Sequence, residues 1–310
     1  MMMNKKNIAF TVCTASYLAH AKVMADSLRF YNPGYTCYIC LVDEVKGRFD
    51  EKLFQPHILI TVSDIEIPPF DEMCKRYSLL ELNCALKPWF ALYILQNTEC
   101  TSLFYFDTDI LIFNSLHFLE QQLEQYSILL TPHITQPLPV DNKSPQEKHI
   151  LRTGNYNAGF FGINNDANGL EFVHWWKMTL IDNCYENKND CIASDQKWLN
   201  FVPLFFKSVL ILVHPGCNLA YWNIDQRQLT FNNKDFLVNE VYTLLFIHLS
   251  GYKYTNPSLL SKFQNRYDLN DLPAWKQVCN LYVQQLKKNN IDFFSTLSCV
   301  YGKKRWRLIR

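Results

Sequence analysis

No window of this 310-residue sequence approaches the roughly 18 uninterrupted apolar residues of a membrane-spanning helix. The N-terminal stretch NKKNIAFTVCTASYLAHAKVMA has the basic start and AHA triplet of a secretory leader. Thr11, Thr14, Ser16 and Tyr17 nevertheless break its apolar run. Both absences lead to the expectation of a cytoplasmic protein. The net charge is only +1, so nothing global invites nucleic acid. Internal repeats and Gly/Ser linkers are absent. Cysteine is present, with eleven residues, but not in a metal-binding or disulfide pattern. Cys37 and Cys40 form a lone C-x-x-C in TCYICLVDE, whose strand-like spacing points them to opposite faces. No second pair and no nearby histidine completes a zinc set, so the thiols read as structural and the compartment as reducing.

What is present is an ordinary soluble composition, 48% hydrophobic and 19% charged, long enough for one large α/β unit or two smaller domains. Apolar runs NIAFTVCT, YTCYICLVD and HILITV read as strands. YLAHAKVMADSLRFYNP between the first two has helical spacing and ends at Pro33 and Gly34. A helical region, SLLELNCALKPWFALYIL, precedes the strand SLFYFDTDILIF. Farther on, YSILLTP, YNAGFFGIN, SVLILVHP and LLFIHL read as strands, and GLEFVHWWKMTLIDNCY as an amphipathic helix in which Trp175 and Trp176 pack. Residues 130–155 read as a long surface loop, and the chain from about 256 onward as helical. The alternation predicts a Rossmann-like, doubly wound, mostly parallel α/β sheet with helices on both faces. In such sheets ligands bind beyond the carboxyl ends of the strands.

Asp107 and Asp109 stand at one of those ends. Buried carboxylates are costly unless they reach water, pair with cations or hold a metal. A D-x-D at a strand end suits one hard divalent ion, Mg²⁺ or Mn²⁺, which keeps sites for water and phosphates. The plainer reading is a surface pair of acids. His248, ending the apolar strand FIHLSGYKY, offers a third ligand, with Gly251 and Lys253 just beyond it to meet a phosphate. Ser194, Asp195 and Gln196 form another polar cluster, which on its own reads as a helix cap.

Taken in order, FTVCTASYLAHAKVMADSL, ALKPWFALYIL…LFYFDTDILIF, YNAGFFGI, SDQKWLNF and IHLSG resemble the retaining glycosyltransferases of family 8, over residues 7–255. HPGCNLAYWNIDQR looks closer still to a bacterial branch found in surface-polysaccharide synthesis. The resemblance implies a GT-A fold over residues 1–255, with 256–310 as a helical C-terminal extension. It also implies a UDP-sugar donor, UDP-glucose or UDP-galactose, a glycan or lipid-linked glycan acceptor, and Mn²⁺ or Mg²⁺ as cofactor. Carried onto this chain, it gives Asp107, Asp109 and His248 as metal ligands, Tyr17 stacking on uracil, and Thr11 and Thr14 lining the same pocket. Lys87 falls near the donor phosphates, Asn157 and Ala158 at the donor sugar, and Asp195 and Gln196 beside the anomeric carbon. Asp195 serves either as nucleophile or as electrostatic support, the second being favoured.

This chain departs from the pattern in two places. Lys253 follows Gly251 after one residue instead of two, which weakens its phosphate role. Where relatives often carry a sugar-binding acid, this chain has LLTPHITQP, which places His133 near the sugar and leaves the sugar open. Asn218 and Trp222 belong either to that subsite or to the core. The tail YGKKRWRLIR clusters Lys303, Lys304, Arg305, Arg307 and Arg310 with Tyr301 and Trp306, a composition suited to an anionic membrane surface. Two rival readings are a haloacid-dehalogenase-like phosphatase, disfavoured by Leu111, and a catalytically degenerate binding module.

Overall fold

The structure, a computed structural model, describes residues 6–187 and 190–302. β1 (Lys6–Cys13) turns through a short 3-10 segment into α1 (Leu18–Tyr31), and β2 (Thr36–Leu41) and β3 (Ile58–Thr61) follow. α2 (Phe70–Arg76) and α3 (Leu79–Asn97) lead into β4 (Cys100–Phe106), then β5 (Ile110–Ile112) and α4 (His117–Leu123). β6 (Ile128–Pro132), α5 (Glu147–Thr153), β7 (Tyr156–Asn164) and α6 (Ala167–Asp182) continue the chain. A small ribbon of β8 (Glu186–Asn187) and β9 (Ile192–Ala193) precedes a 3-10 helix (Gln196–Phe201), α7 (Val202–Phe205) and β10 (Val209–Ile211). β11 (Leu229–Phe231), β12 (Phe236–Val238) and β13 (Tyr242–Thr243) make a small antiparallel sheet. β14 (Phe246–His248), α8 (Pro273–Lys288) and α9 (Ile291–Phe294) complete it.

The central sheet has seven strands in the order β10-β6-β7-β4-β1-β2-β3. β1 pairs in parallel with both β2 and β4, whereas β7 runs antiparallel between β4 and β6. This is the mixed, mostly parallel α/β sheet expected from the sequence, with helices on both faces. One face is covered by α1 with α8 and α9, the other by α3 and α6. Cys37 sits in the first core layer and Cys40 in the second, as alternation along a strand requires. All eleven cysteines are free thiols.

Two segments differ from the sequence reading. Residues 130–155 are not one loop, because β6 runs to Pro132 and α5 occupies Glu147–Thr153. α5 is held by a reciprocal box in which Gln146 and His149 satisfy each other's backbone amides. Residues 256–268 are not helical, and α8 begins only at Pro273, whose fixed φ and missing N–H suit a first helical position.

α3 is apolar nearly all round because it lies between the sheet and α6. A capping box fixes its start: Ser78 N donates to Glu81 Oε2 at 2.7 Å, and Glu81 N to Ser78 Oγ at 3.5 Å. Trp176 of α6 is fully buried, stacked on Phe172 and edge-on to Phe161 of β7. Its indole N–H donates to the Asp195 carbonyl at 3.3 Å, which ties the core to the residues beyond it. Trp176→Ala is expected to cost about 3–5 kcal/mol of stability in chemical denaturation, the usual loss for a buried indole. A cost below about 1 kcal/mol would show that this layer does not carry the packing.

Candidate active site

The aspartates at the end of β4 lie in the turn that carries the chain into β5. Asp107 N donates to Gly159 O at 2.8 Å, and Ile110 N closes the turn onto Asp107 O at 3.1 Å. β5 then pairs antiparallel with β14, placing His248 opposite Ile110, and Leu249 N donates to Asp109 O at 2.9 Å. That short ladder brings a distant histidine beside the D-x-D. His248 Nε2 is 3.0 Å from Asp109 Oδ1 and 3.8 Å from Asp107 Oδ2. One ligand atom from each of the three lies within 4.8 Å of the others. Both carboxylates remain about a third accessible while the imidazole is buried.

The imidazole is oriented from behind. Asn157 Oδ1 accepts from Gly159 N at 3.2 Å and from Asn218 Nδ2 at 3.0 Å, which identifies it as the amide oxygen. His248 Nδ1, 3.2 Å from that oxygen, is therefore the donor, leaving Nε2 to face the aspartates. Asn218 also donates to Thr131 Oγ1 at 2.8 Å and sits in the left-handed region at φ 56°. Burial alone would lower the His248 pKa, but the adjacent Asp109 and Asp107 raise it. Burial likewise would raise Asp109, and His248 outweighs it and holds the carboxyl down. Gly159 has no substitute here, since a Cβ would fall 2.4 Å from His248 Cε1.

Lys87, on α3, reaches under the same turn. Its ammonium lies 2.9 Å from Asp195 Oδ2, 3.4 Å from Asp107 Oδ1 and 3.0 Å from Ala158 O, and 4.6 Å over the Tyr105 ring. Burial disfavours its charge, but the two carboxylates more than offset this and the pKa is raised well above the ordinary lysine value. The stability that the charge on Lys87 contributes is thus full just below the ordinary lysine pKa and is lost progressively as pH rises from there through the raised value. Tyr105 donates to Asp107 Oδ1 at 2.5 Å.

The remaining expected residues fall into three groups. Asp195 and Gln196 adjoin the cluster. Asp195 heads the 3-10 helix without using its carboxylate as a cap, because that carboxylate pairs with Lys87. Gln196 Oε1 accepts from Asn157 Nδ2 and Ala158 N, both at 3.1 Å, while its Nε2 donates to Thr153 O at 3.1 Å. Gln196 is therefore a brace between β7 and α5. Tyr17 is an exposed ring at the start of α1, near enough for Asp109 to raise its pKa after burial has done so. Thr14 is buried beside Ser16, and the buried Thr11 hydroxyl has no partner among the described residues. Gly251 adopts φ +74°, with Phe263 and Ser261 crowding the side where a Cβ would sit, so its freedom serves the turn itself. Lys253 is exposed and makes no ion pair among the described residues.

His133 is buried and neutral, pushed down to about 4 by burial, and its ring meets Trp222 edge-on at 5.0 Å. Trp222 in turn packs edge-on against His248 at 5.3 Å, so it walls the cluster. Sequence reasoning missed Tyr105, two residues before Asp107 and so on the same strand face. It also missed His20, which follows Tyr17 by one helical turn and is bonded through Nδ1 to Tyr282 of α8 at 2.6 Å. The basic cluster Lys303–Arg310 lies outside the described residues. Tyr301 does not, and it is docked, with its hydroxyl 3.2 Å from Glu44 Oε1 and its ring against Phe70.

A divalent cation suits this site: two oxygen ligands and one imidazole nitrogen converge, with the other nitrogen already held by an amide. Gly159→Ala is expected to weaken Mn²⁺ binding roughly 10- to 100-fold by displacing His248, as read by calorimetry. Unchanged affinity would mean His248 is not a ligand. Lys87→Met leaves two acids without their buried cation and is expected to cost about 3–5 kcal/mol in urea unfolding at neutral pH. A neutral or stabilising result would contradict the pairing described.

No protein-family model matches the chain. It is 24% identical to the uncharacterized protein YfnF of Bacillus subtilis (strain 168) over 246 residues, covering 78% of this chain and 80% of that protein. Among solved structures it resembles the galactosyltransferase LgtC crystallised with donor and acceptor sugar analogs. The TM-score is 0.54 at 16% identity, over 91% of this chain and 95% of that one. It also resembles the glycosyltransferase GlyE of Streptococcus pneumoniae TIGR4, with TM-score 0.52 and 15% identity, covering 98% of this chain and 66% of that one. The chain has the GT-A glycosyltransferase fold.

Proposed function

We propose that the chain is a divalent-metal-dependent glycosyltransferase that moves a hexose from a UDP-sugar to a glycan acceptor, retaining anomeric configuration, in bacterial surface-polysaccharide synthesis. The observation that carries this reading is the convergence of Asp107, Asp109 and His248 beside the buried Lys87–Asp195 pair, at the carboxyl end of β4. Those three residues would hold Mn²⁺ or Mg²⁺, which when bound neutralises charge developing on a diphosphate leaving group. The formal charge fits: three aspartates and Lys87 sum to −3 + 1 = −2, which a divalent ion offsets while His248 is neutral.

The chain's own residues divide the rest of the work. Tyr17 offers an exposed ring for a uracil base above the site, and Thr11 and Thr14 line the end of β1 beneath it. Asn157 and Ala158 lie on the strand that faces the turn, the first fixing His248 and the second anchoring Lys87 through its carbonyl. Asp195 is buried and held in place by Lys87, so it is poorly free to attack the sugar, and we assign it electrostatic support and not the role of nucleophile. The acceptor oxygen would then bond to the anomeric carbon on the face from which the diphosphate departs, its proton passing to the departing phosphate oxygen. His133, Asn218 and Trp222 bound the sugar side with neutral groups, which favours an uncharged hexose such as glucose or galactose. Gly251 and Lys253 follow His248 at the diphosphate end. No helix among the described residues is long and apolar enough to cross a membrane. The reading places the enzyme in the cytoplasm, working on a glycan or lipid-linked glycan.

Hydrolysis of a panel of UDP-sugars with Mn²⁺ tests this. Wild-type protein should turn over one UDP-hexose, lose that turnover in EDTA and regain it with Mn²⁺. Asp109→Asn should be slower by about 100-fold or more, beyond the loss typical of a merely supporting group. No metal-dependent turnover of any donor, or an unchanged rate in the variant, would sink the proposal.

A further inference from the structure

The 3-10 helix that begins at Gln196 runs directly into α7, and together they present large apolar side chains to solvent. Val202 and Phe206 point inward and are buried, whereas Leu204 is 77% exposed and Phe205 56%. Phe201, also exposed, stacks on Phe205 with ring centroids 5.2 Å apart. Trp175 of α6 meets Phe205 edge-on at 5.5 Å, and Met178, one helical turn farther, is 61% exposed. Leu151 of α5 extends the group, its carbonyl bonded to Lys197 Nζ. A single exposed leucine is ordinary, but a connected set of this size on a folded surface marks a contact.

The surrounding charge says which contact. Residues 196–207, QKWLNFVPLFFK, carry Lys197 and Lys207 and no acid. α5, EKHILRT, adds Lys148 and Arg152 against Glu147, so the two segments sum to +4 − 1 = +3, against +1 for the whole chain. On α6, Asp182 is paired with Arg76, and Glu171 and Lys177 cancel. Two-fold pairing of this face with a second copy would bring two surfaces of the same net positive charge together. An anionic surface with an apolar interior meets both the charge and the side chains.

We propose that this face docks on an anionic lipid bilayer. Phe201, Leu204 and Phe205 enter the boundary between headgroups and acyl chains, while Lys148, Arg152, Lys197 and Lys207 meet headgroup phosphates. Phe201 lies five residues along the 3-10 helix from Gln196, about 10 Å at roughly 2 Å per residue. Docking would therefore hold the metal cluster close to the membrane surface. The inference stands on this surface alone and does not require the sugar-transfer reading.

Co-sedimentation of the full chain with phosphatidylcholine vesicles, with and without phosphatidylglycerol, tests it. The proposal expects binding at least about tenfold stronger to the anionic vesicles, with the double variants Leu204→Glu/Phe205→Glu and Lys148→Glu/Lys207→Glu each losing at least about tenfold. Circular dichroism and melting temperature identify variants that keep the fold. Unchanged binding by both variants would overturn the assignment and move the contact to another part of the chain. So would equal binding to neutral vesicles, no binding by the wild type, or a wild-type dimer in ultracentrifugation that Leu204→Glu/Phe205→Glu dissociates.

Discussion

A single buried ammonium, on Lys87, ties together four parts of the chain. α3 is enclosed by the sheet and α6, so Lys87 is buried and must find its partners inside. It finds Asp107 after β4, Asp195 at the head of the 3-10 helix, the Ala158 carbonyl on β7 and the ring of Tyr105. Each contact constrains a different element. An unpaired ion at this depth would cost several kcal/mol, so the turn carrying the D-x-D and the loop carrying Asp195 are held in one arrangement by charge. The residues of the candidate site are thus also the residues that keep the sheet end ordered.

Behind that pair runs a neutral relay, Thr131 to Asn218 to Asn157 to His248. Amides suit this role because each presents an oxygen and two donors in one plane, and none of them titrates. The relay fixes which imidazole nitrogen points outward, and Gly159 leaves the space the ring needs. The two systems divide the work between them. Lys87 sets the charge of the acidic turn, and the amide relay sets the direction of the His248 imidazole.

Much of this was legible in the sequence, for identifiable reasons. β1, β2, β4 and β7 are buried on both faces, so they read as apolar runs whatever their neighbours do. The D-x-D stood out because acids at the end of such a run need a physical explanation. What joins Asp109 to His248 was not legible from local pattern. It depends on β5 pairing with β14, two three-residue strands with no distinctive composition; the end of its strand made His248 a candidate ligand, but only that ladder brings it to Asp109. Residues 256–268 misled because Leu259, Leu260, Phe263 and Tyr267 have helical spacing. Leu260 instead anchors a loop, and Gln264 bonds the Tyr267 carbonyl across it. Tyr282 was invisible for a similar reason: its role at His20 exists only once α8 lies on α1.

The central claim is that two carboxylates and one imidazole share a cation. Pulsed electron paramagnetic resonance of the protein titrated with Mn²⁺ tests it most directly, because a directly bound nitrogen couples to the manganese spin. The account predicts one tight Mn²⁺ per chain with nitrogen coupling that disappears in His248→Ala. Manganese that binds without nitrogen coupling, or coupling that survives the loss of His248, would contradict it.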